Sequence, residues 1–159
     1  MAIFSLPKIN DIAQTMTLFL SQNTDIDETE QLMTTADDQL YVFEYLDDTD
    51  QPVAASVCEL RFIANAGAAM TMVPAGIAEE AIQTNEVTTT MSDNAYELMN
   101  MVSRYLIDST SPHLRIGKMY KKTELPVTVK TVLEQAAKQR TFSVTVPNYG
   151  QGSFQISVT

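Results

Sequence analysis

The sequence predicts an α+β domain: a sheet of about six strands, largely antiparallel, packed against long helices. Three observations carry this. Runs such as Thr141–Val146 and Ser153–Thr159 alternate apolar and polar residues with a period of two. Other stretches, above all the one from Met91 to Asp108, repeat their apolar residues at helical spacing. The chain has 159 residues, 45% of them hydrophobic, which suits one core with no dividing linker, so residues 1–159 read as a single domain.

Ile9, Ile12, Ala13, Met16, Phe19 and Leu20 predict a first helix from about Pro7 to Ser21, with proline in its first turn. The acidic segment from Gln22 to Asp38 reads as a loop. Leu40–Leu46 is aromatic and branched and predicts a strand; Asp47–Pro52 is a turn, and Val53–Phe62 a second strand of the same hairpin. On that strand Cys58 falls in phase with Leu60 and Phe62, opposite Glu59 and Arg61, and so reads as a small core residue.

A turn around Asn65-Ala66-Gly67 leads to a third strand over Ala66–Val73, and Pro74 opens a short helix to about Gln83. The helix over Met91–Asp108 takes Ser92 or Asp93 as its cap and stops before Pro112. Leu114–Tyr120 is a fourth strand, Val127–Ala137 a helix behind Pro126, and the two terminal runs form a hairpin around Pro147–Gly152. No internal repeat is visible. The terminal strand Ser153–Thr159 could pair with a second copy across a homodimer.

Composition narrows the function. The net charge is −10, which argues against nucleic acid and against an anionic membrane surface as partners. That charge is unevenly placed. The first 100 residues hold seventeen acids against Lys8 and Arg61, whereas residues 101–159 hold eight bases against Asp108, Glu124 and Glu134. A partner drawn to the first half would be cationic at its contact surface. One cysteine and one histidine exclude an internal disulfide and any Cys-built or two-His metal site. Met1–Lys8 lacks the basic start and apolar run of a signal peptide, and Phe62–Ala78 is too interrupted to span a membrane, so the expected location is the cytoplasm. His113, beside Pro112, reads as a loop residue rather than a general base, and Lys118, Lys121 and Lys122 as a solvated basic patch. The five glycines form no phosphate-cradling loop.

A helical wheel over residues 91–108 separates two faces. Ala95, Leu98, Met99, Val102, Tyr105 and Leu106 occupy an arc from about 120° to 240° relative to Asp93, the core side. Asp93, Glu97, Asn100, Arg104 and Asp108 lie opposite, bordered by Tyr96, Met101 and Ile107. Such a stripe is either a solvated surface held by the i,i+4 pairs Asn100–Arg104 and Arg104–Asp108, or a contact surface for a partner.

Asp93, Glu97 and Asn100 have the spacing D-x3-E-x2-N, which resembles the signature of the CheC/CheX/FliY phosphatase family of bacterial chemotaxis. The order of elements from Leu40 to Thr159 is also similar to that family. Two departures stand out. Arg104 occupies the position that commonly holds glycine, and the first helix carries no second motif, since Asp11 is followed at the Glu position by Thr15. A single motif is closest to CheX.

The resemblance implies hydrolysis of the aspartyl phosphate of a phosphorylated, CheY-like response regulator. Asn100 would orient the attacking water and Glu97 would engage the regulator's active-site lysine, with Asp93, Tyr96, Met101, Arg104 and Ile107 in the docking surface. The chain would need no cofactor or metal of its own, because the Mg2+ would belong to the regulator. The alternative is a non-catalytic interaction or scaffold module that uses the same helix to bind a partner protein.

Overall fold

A computed structural model describes residues 4–159 of the chain. In chain order the elements are α1 (Ile9–Leu20), β1 (Asp25–Thr29), β2 (Leu40–Leu46), β3 (Pro52–Glu59), α2 (Leu60–Met70), α3 (Ala75–Thr84), α4 (Thr89–Val102), β4 (Arg115–Lys121), α5 (Val127–Glu134), β5 (Lys138–Val146) and β6 (Gly150–Val158). The α+β class and the sheet of six strands are as expected, and every neighbouring pair is antiparallel in the order β1-β5-β6-β3-β2-β4.

That order reads the same backwards when β1, β2 and β3 are exchanged for β4, β5 and β6. The sheet is therefore built from two three-strand halves, each led by a helix, α1-β1-β2-β3 and α4-β4-α5-β5-β6, the second with α5 inserted after β4, joined through the central β3–β6 pair. The sequence shows no trace of the repeat. α4 holds in the second half the place that α1 holds in the first.

One face of the sheet carries the main core. Phe43, Tyr45, Cys58, Phe142, Phe154 and Ile156 meet Ile12, Met16, Ile63, Leu98 and Met99 from the helices. On the other face α5 packs Val129 and Val132 over Leu40, Val42, Ala55 and Val57.

Several expectations are corrected. The third strand over Ala66–Val73, its turn at Asn65–Gly67 and the last residues of the second strand are all helix α2 or lie at its end. Nine of the eleven α2 residues are buried, and its alanines around Gly67 read in sequence as a small-residue strand and turn. Glu59, read as opposite Cys58, is itself buried at 2% exposure, and its carboxylate accepts the backbone N–H groups of Thr34 (2.6 Å) and Ser153 (2.7 Å). The acidic loop contains β1, an edge strand whose only apolar residue is Ile26, which leaves no alternation to read.

Among the described residues the α-helices number five rather than four. α4 starts at Thr89 with Thr88 as its cap, the Thr88 hydroxyl accepting the Met91 N–H, rather than at Ser92 or Asp93. It ends at Val102 and tightens into a 3-10 turn, Ser103–Leu106, instead of running to Asp108. The terminal hairpin forms, but β6 is bonded on both sides, to β5 and β3. It is not free to pair across a homodimer; the sheet edges are β1 and β4. No helix among the described residues is long and apolar enough to cross a membrane. Of the amino-terminal run Met1–Lys8, residues 1–3 lie outside the described residues.

Cys58 is fully buried, and burial first, then the charge of Glu59, pushes its thiol well above the usual range. A thiol reagent is therefore expected to modify the chain at pH 8 only at the rate of unfolding. Fast stoichiometric labelling of the native protein contradicts this.

α4 crosses α2 at Gly67, where an added Cβ would sit 2.6 Å from the Met91 carbonyl oxygen and 2.9 Å from its Cα. These are backbone atoms that no rotamer change can move aside. Gly67→Ala should destabilise the protein by about 1–3 kcal/mol despite its better helix propensity, read from urea denaturation. A stabilised variant would show that the helices can separate freely.

Candidate functional site

The second half of the chain opens on α4, and four contacts fix which way that helix faces. Thr88 caps it. Asn94 donates through Nδ2 to the Gly67 carbonyl (2.7 Å) and to the Thr71 hydroxyl (3.1 Å), tying α4 to the end of α2. The Tyr96 hydroxyl donates to the Gly117 carbonyl on β4 (2.8 Å), with its ring tilted against Phe43. The buried Tyr45 hydroxyl donates to the Met99 carbonyl (2.9 Å). Met91, Ala95, Leu98, Met99 and Val102 are buried, as the wheel requires.

The opposite face is free. Asp93 and Glu97 are exposed, Asn100 is half-buried, and Arg104 is exposed just beyond the helix, in the 3-10 turn. Among the described residues, none of these four side chains makes a hydrogen bond or an ion pair. At a rise of about 1.5 Å per residue, Asp93 to Glu97 spans roughly 6 Å along the axis and Glu97 to Asn100 roughly 4.5 Å. A carboxylate and a carboxamide thus sit side by side on a convex surface.

The i,i+4 pairs do not form. Asp108 lies past the helix, where it accepts the hydroxyl and N–H of Thr110, both at 2.7 Å, and the Ser111 hydroxyl. The Thr110 hydroxyl first, with the backbone and Ser111 bonds adding to it, lowers the Asp108 carboxyl below its usual range. Arg104 is left without the partner the solvated-face reading gave it.

The bordering residues divide. Met101 is half-buried at the rim, whereas Tyr96 and Ile107 also pack against the main core. Tyr96 is thus a strut between α4 and β4, with only part of its ring on the surface. Tyr105 is half-buried on the core side and takes a bond from the Thr15 hydroxyl (3.1 Å), linking α1 to the turn after α4.

The first helix offers no second site. Asp11 accepts the Lys8 N–H (2.8 Å) in the opening turn, and Thr15 is buried. His113 lies in the loop before β4, with Nδ1 3.5 Å from an Asp48 carboxylate oxygen. Lys122 pairs with Asp37 (3.2 Å) across the sheet from α4, while Lys118 and Lys121 stay exposed on β4. Among the described residues no three His, Cys, Asp or Glu side chains gather as a metal site. The residues that the sequence does not flag are Tyr45, Ser56 and Ser103, whose hydroxyls are buried beneath the motif. On a strand or helix end, nothing in their spacing sets them apart from ordinary core positions.

No protein-family profile and no curated protein matches the sequence. Solved structures do match the fold. A chain of the FliM–SpeE complex from H. pylori superposes with a TM-score of 0.69 at 7% identity, over 94% of this chain and 80% of that one. FliY from Thermotoga maritima gives 0.59 at 11% identity, over 95% and 83%. The FliM middle domain from H. pylori gives 0.52 at 6% identity, over 94% and 84%. The chain therefore shares its fold with FliY and the FliM middle domain.

Proposed function

We propose that this chain is a CheX-like phosphatase that hydrolyses the aspartyl phosphate of a phosphorylated response regulator. The observation that carries the reading is the pairing of Glu97 with Asn100, adjacent and unpartnered on the free face of a helix that four contacts hold in place. The fold and the D-x3-E-x2-N spacing support it.

The chemistry follows from what such a surface lacks and what a regulator brings. An aspartyl phosphate is already activated; its hydrolysis needs a water held in line with phosphorus, opposite the carboxylate leaving group. A carboxamide suits that task, since it accepts from water through its oxygen and donates through its nitrogen without adding charge beside the phosphoryl oxygens. Asn100, half-buried and so restricted, is the group that orients the water. Glu97, one turn earlier and exposed, pairs with the regulator's active-site lysine and sets the register of docking. The Mg2+ that neutralises the phosphoryl charge belongs to the regulator. Asp93 extends the acidic face by one more turn.

Arg104 favours a second reading, a non-catalytic module that binds a partner through the same helix. It is a bulky, unpaired cation where the phosphatase pattern commonly has glycine, and chains of FliM–SpeE and FliG–FliM complexes share this fold. Both readings place the contact on α4.

Timing phosphate loss from phosphorylated response regulators separates them. The phosphatase reading expects acceleration by the wild-type chain, a fall of roughly a hundredfold in turnover for Asn100→Ala, and for Glu97→Ala a loss felt chiefly as raised KM. Full activity in Asn100→Ala removes the proposed water-orienting role. No acceleration of any of the host's regulators leaves the binding-module reading.

Arg104→Gly provides a further check on the same assay. If the cation contacts the phosphoryl group or the acidic rim of the regulator's site, the substitution weakens binding, and the loss shrinks as salt is raised. Improved turnover would show instead that Arg104 obstructs docking.

A further inference from the structure

We infer that the buried hydroxyl pair Tyr45–Ser56 is the positioning device for Asn100, holding the last turn of α4 in place for the reaction. The inference rests on the phosphatase reading and names residues that lie outside its motif.

An α-helix leaves its last four carbonyls without an intrahelical partner, and its final turn frays unless something else satisfies them. The last four residues of α4 are Met99, Asn100, Met101 and Val102; the Met99 carbonyl is closed by the N–H of Ser103, where the helix passes into the 3-10 turn, so Asn100 stands in the final turn of α4. Two of the four are held from the protein side. The Met99 carbonyl accepts the Tyr45 hydroxyl (2.9 Å) in addition to the Ser103 N–H. The Asn100 carbonyl accepts the Ser103 hydroxyl (2.5 Å). Glu97 needs no such help, because it lies a turn further inside, above Leu98 and Met99.

Proton counting gives the pair a direction. The Tyr45 phenol has one proton, and Met99 takes it; a carbonyl cannot donate in return. The Ser56 hydroxyl, 3.0 Å from the phenolic oxygen, must therefore donate to Tyr45. The chain runs Ser56 to Tyr45 to Met99, each bond polarising the next. Both side chains are fully buried, so water does not compete. Strand pairing supplies the placement: Phe43 stands opposite Ser56 and Tyr45 opposite Ala54, so Tyr45 and Ser56 are diagonal neighbours on the face of the sheet that meets the helices.

A rigid sheet thus grips the helix at the peptide immediately before Asn100. An error of about 1 Å in a water-orienting group costs on the order of a hundredfold in rate, whereas a salt bridge at the surface tolerates it. Tyr45 and Ser56 are positioning residues, since neither touches the reacting atoms.

The test is Tyr45→Phe in the full chain, which removes one oxygen and keeps the ring. With a phosphorylated regulator as substrate, kcat should fall about tenfold with KM unchanged, because the Glu97 contact is intact. Amide hydrogen exchange of Ser103, whose N–H closes the last turn, should quicken, while exchange at Ala95 to Leu98 stays as in the wild type. Ser56→Ala should shift both readouts in the same direction by less, and it carries the test if Tyr45→Phe does not fold. An unchanged kcat with wild-type activity present overturns the inference and leaves the phosphatase reading standing. If the wild-type chain accelerates no regulator, that reading fails on its own, and Ser103 exchange decides the inference: quickening sustains Tyr45 as the clamp on this turn, and unaltered exchange overturns it.

Discussion

The outward face of α4 depends on how closely α2 allows that helix to approach. Gly67 has no side chain where the Met91 backbone lies, and its carbonyl accepts the Asn94 side chain one turn further along. The crossing is therefore specified twice, by the absence of a Cβ and by a hydrogen bond. With α4 seated on α2, its apolar stripe must face the sheet, and Asp93, Glu97 and Asn100 have no side left but solvent. Tyr96 and Tyr45 then fix the helix lengthwise, one against β4 and the other from β2.

The two halves share a topology and differ in what their leading helices do. Positions of α1 equivalent in spacing to Asp93, Glu97 and Asn100 are Asp11, Thr15 and Leu18. Asp11 is used in the opening turn of the helix and Thr15 is buried against Tyr105, so α1 serves as packing for the end of α4. The division of charge has a place in the fold as well. β1 carries Asp25, Asp27 and Glu28 along one sheet edge, while Arg115, Lys118 and Lys121 lie along the other on β4. Charged edges discourage strands of other molecules from adding to the sheet. Five of the seventeen acids in the first 100 residues thus lie on the β1 edge and on α4.

Much of this architecture is legible in the residues, and the failures have physical causes. β2 is found because its residues are aromatic and branched, β5 and β6 because their apolar and polar residues alternate, and α1 and α4 because half-buried helices repeat at 3.6 residues. α2 is missed because its alanines and glycine read as a small-residue strand and turn, and because the alternation of β3 is carried on into its first residues, Leu60 to Phe62. β1 is missed for the opposite reason, being polar nearly throughout and held by backbone pairing to β5. At the site, the wheel correctly separates the two faces of α4 because that depends on spacing alone. It overextends the helix past Val102, since the switch to a 3-10 turn follows from side-chain bonds that spacing does not encode. The role of the Tyr45–Ser56 pair stays hidden because it lies in the bond from Tyr45 to Met99, distant in sequence and brought close only by the fold.

The central claim is that the free face of α4 is where this protein meets a phosphorylated regulator. Amide and side-chain NMR shifts of the chain, followed during titration with a regulator held in its phosphorylated form by a beryllium fluoride analogue, test it most directly. The largest changes should fall on Glu97, Asn100 and Arg104, with the Asn100 side-chain NH2 among them. Changes confined to the α5 face or to the β1 edge, with α4 unmoved, would contradict it.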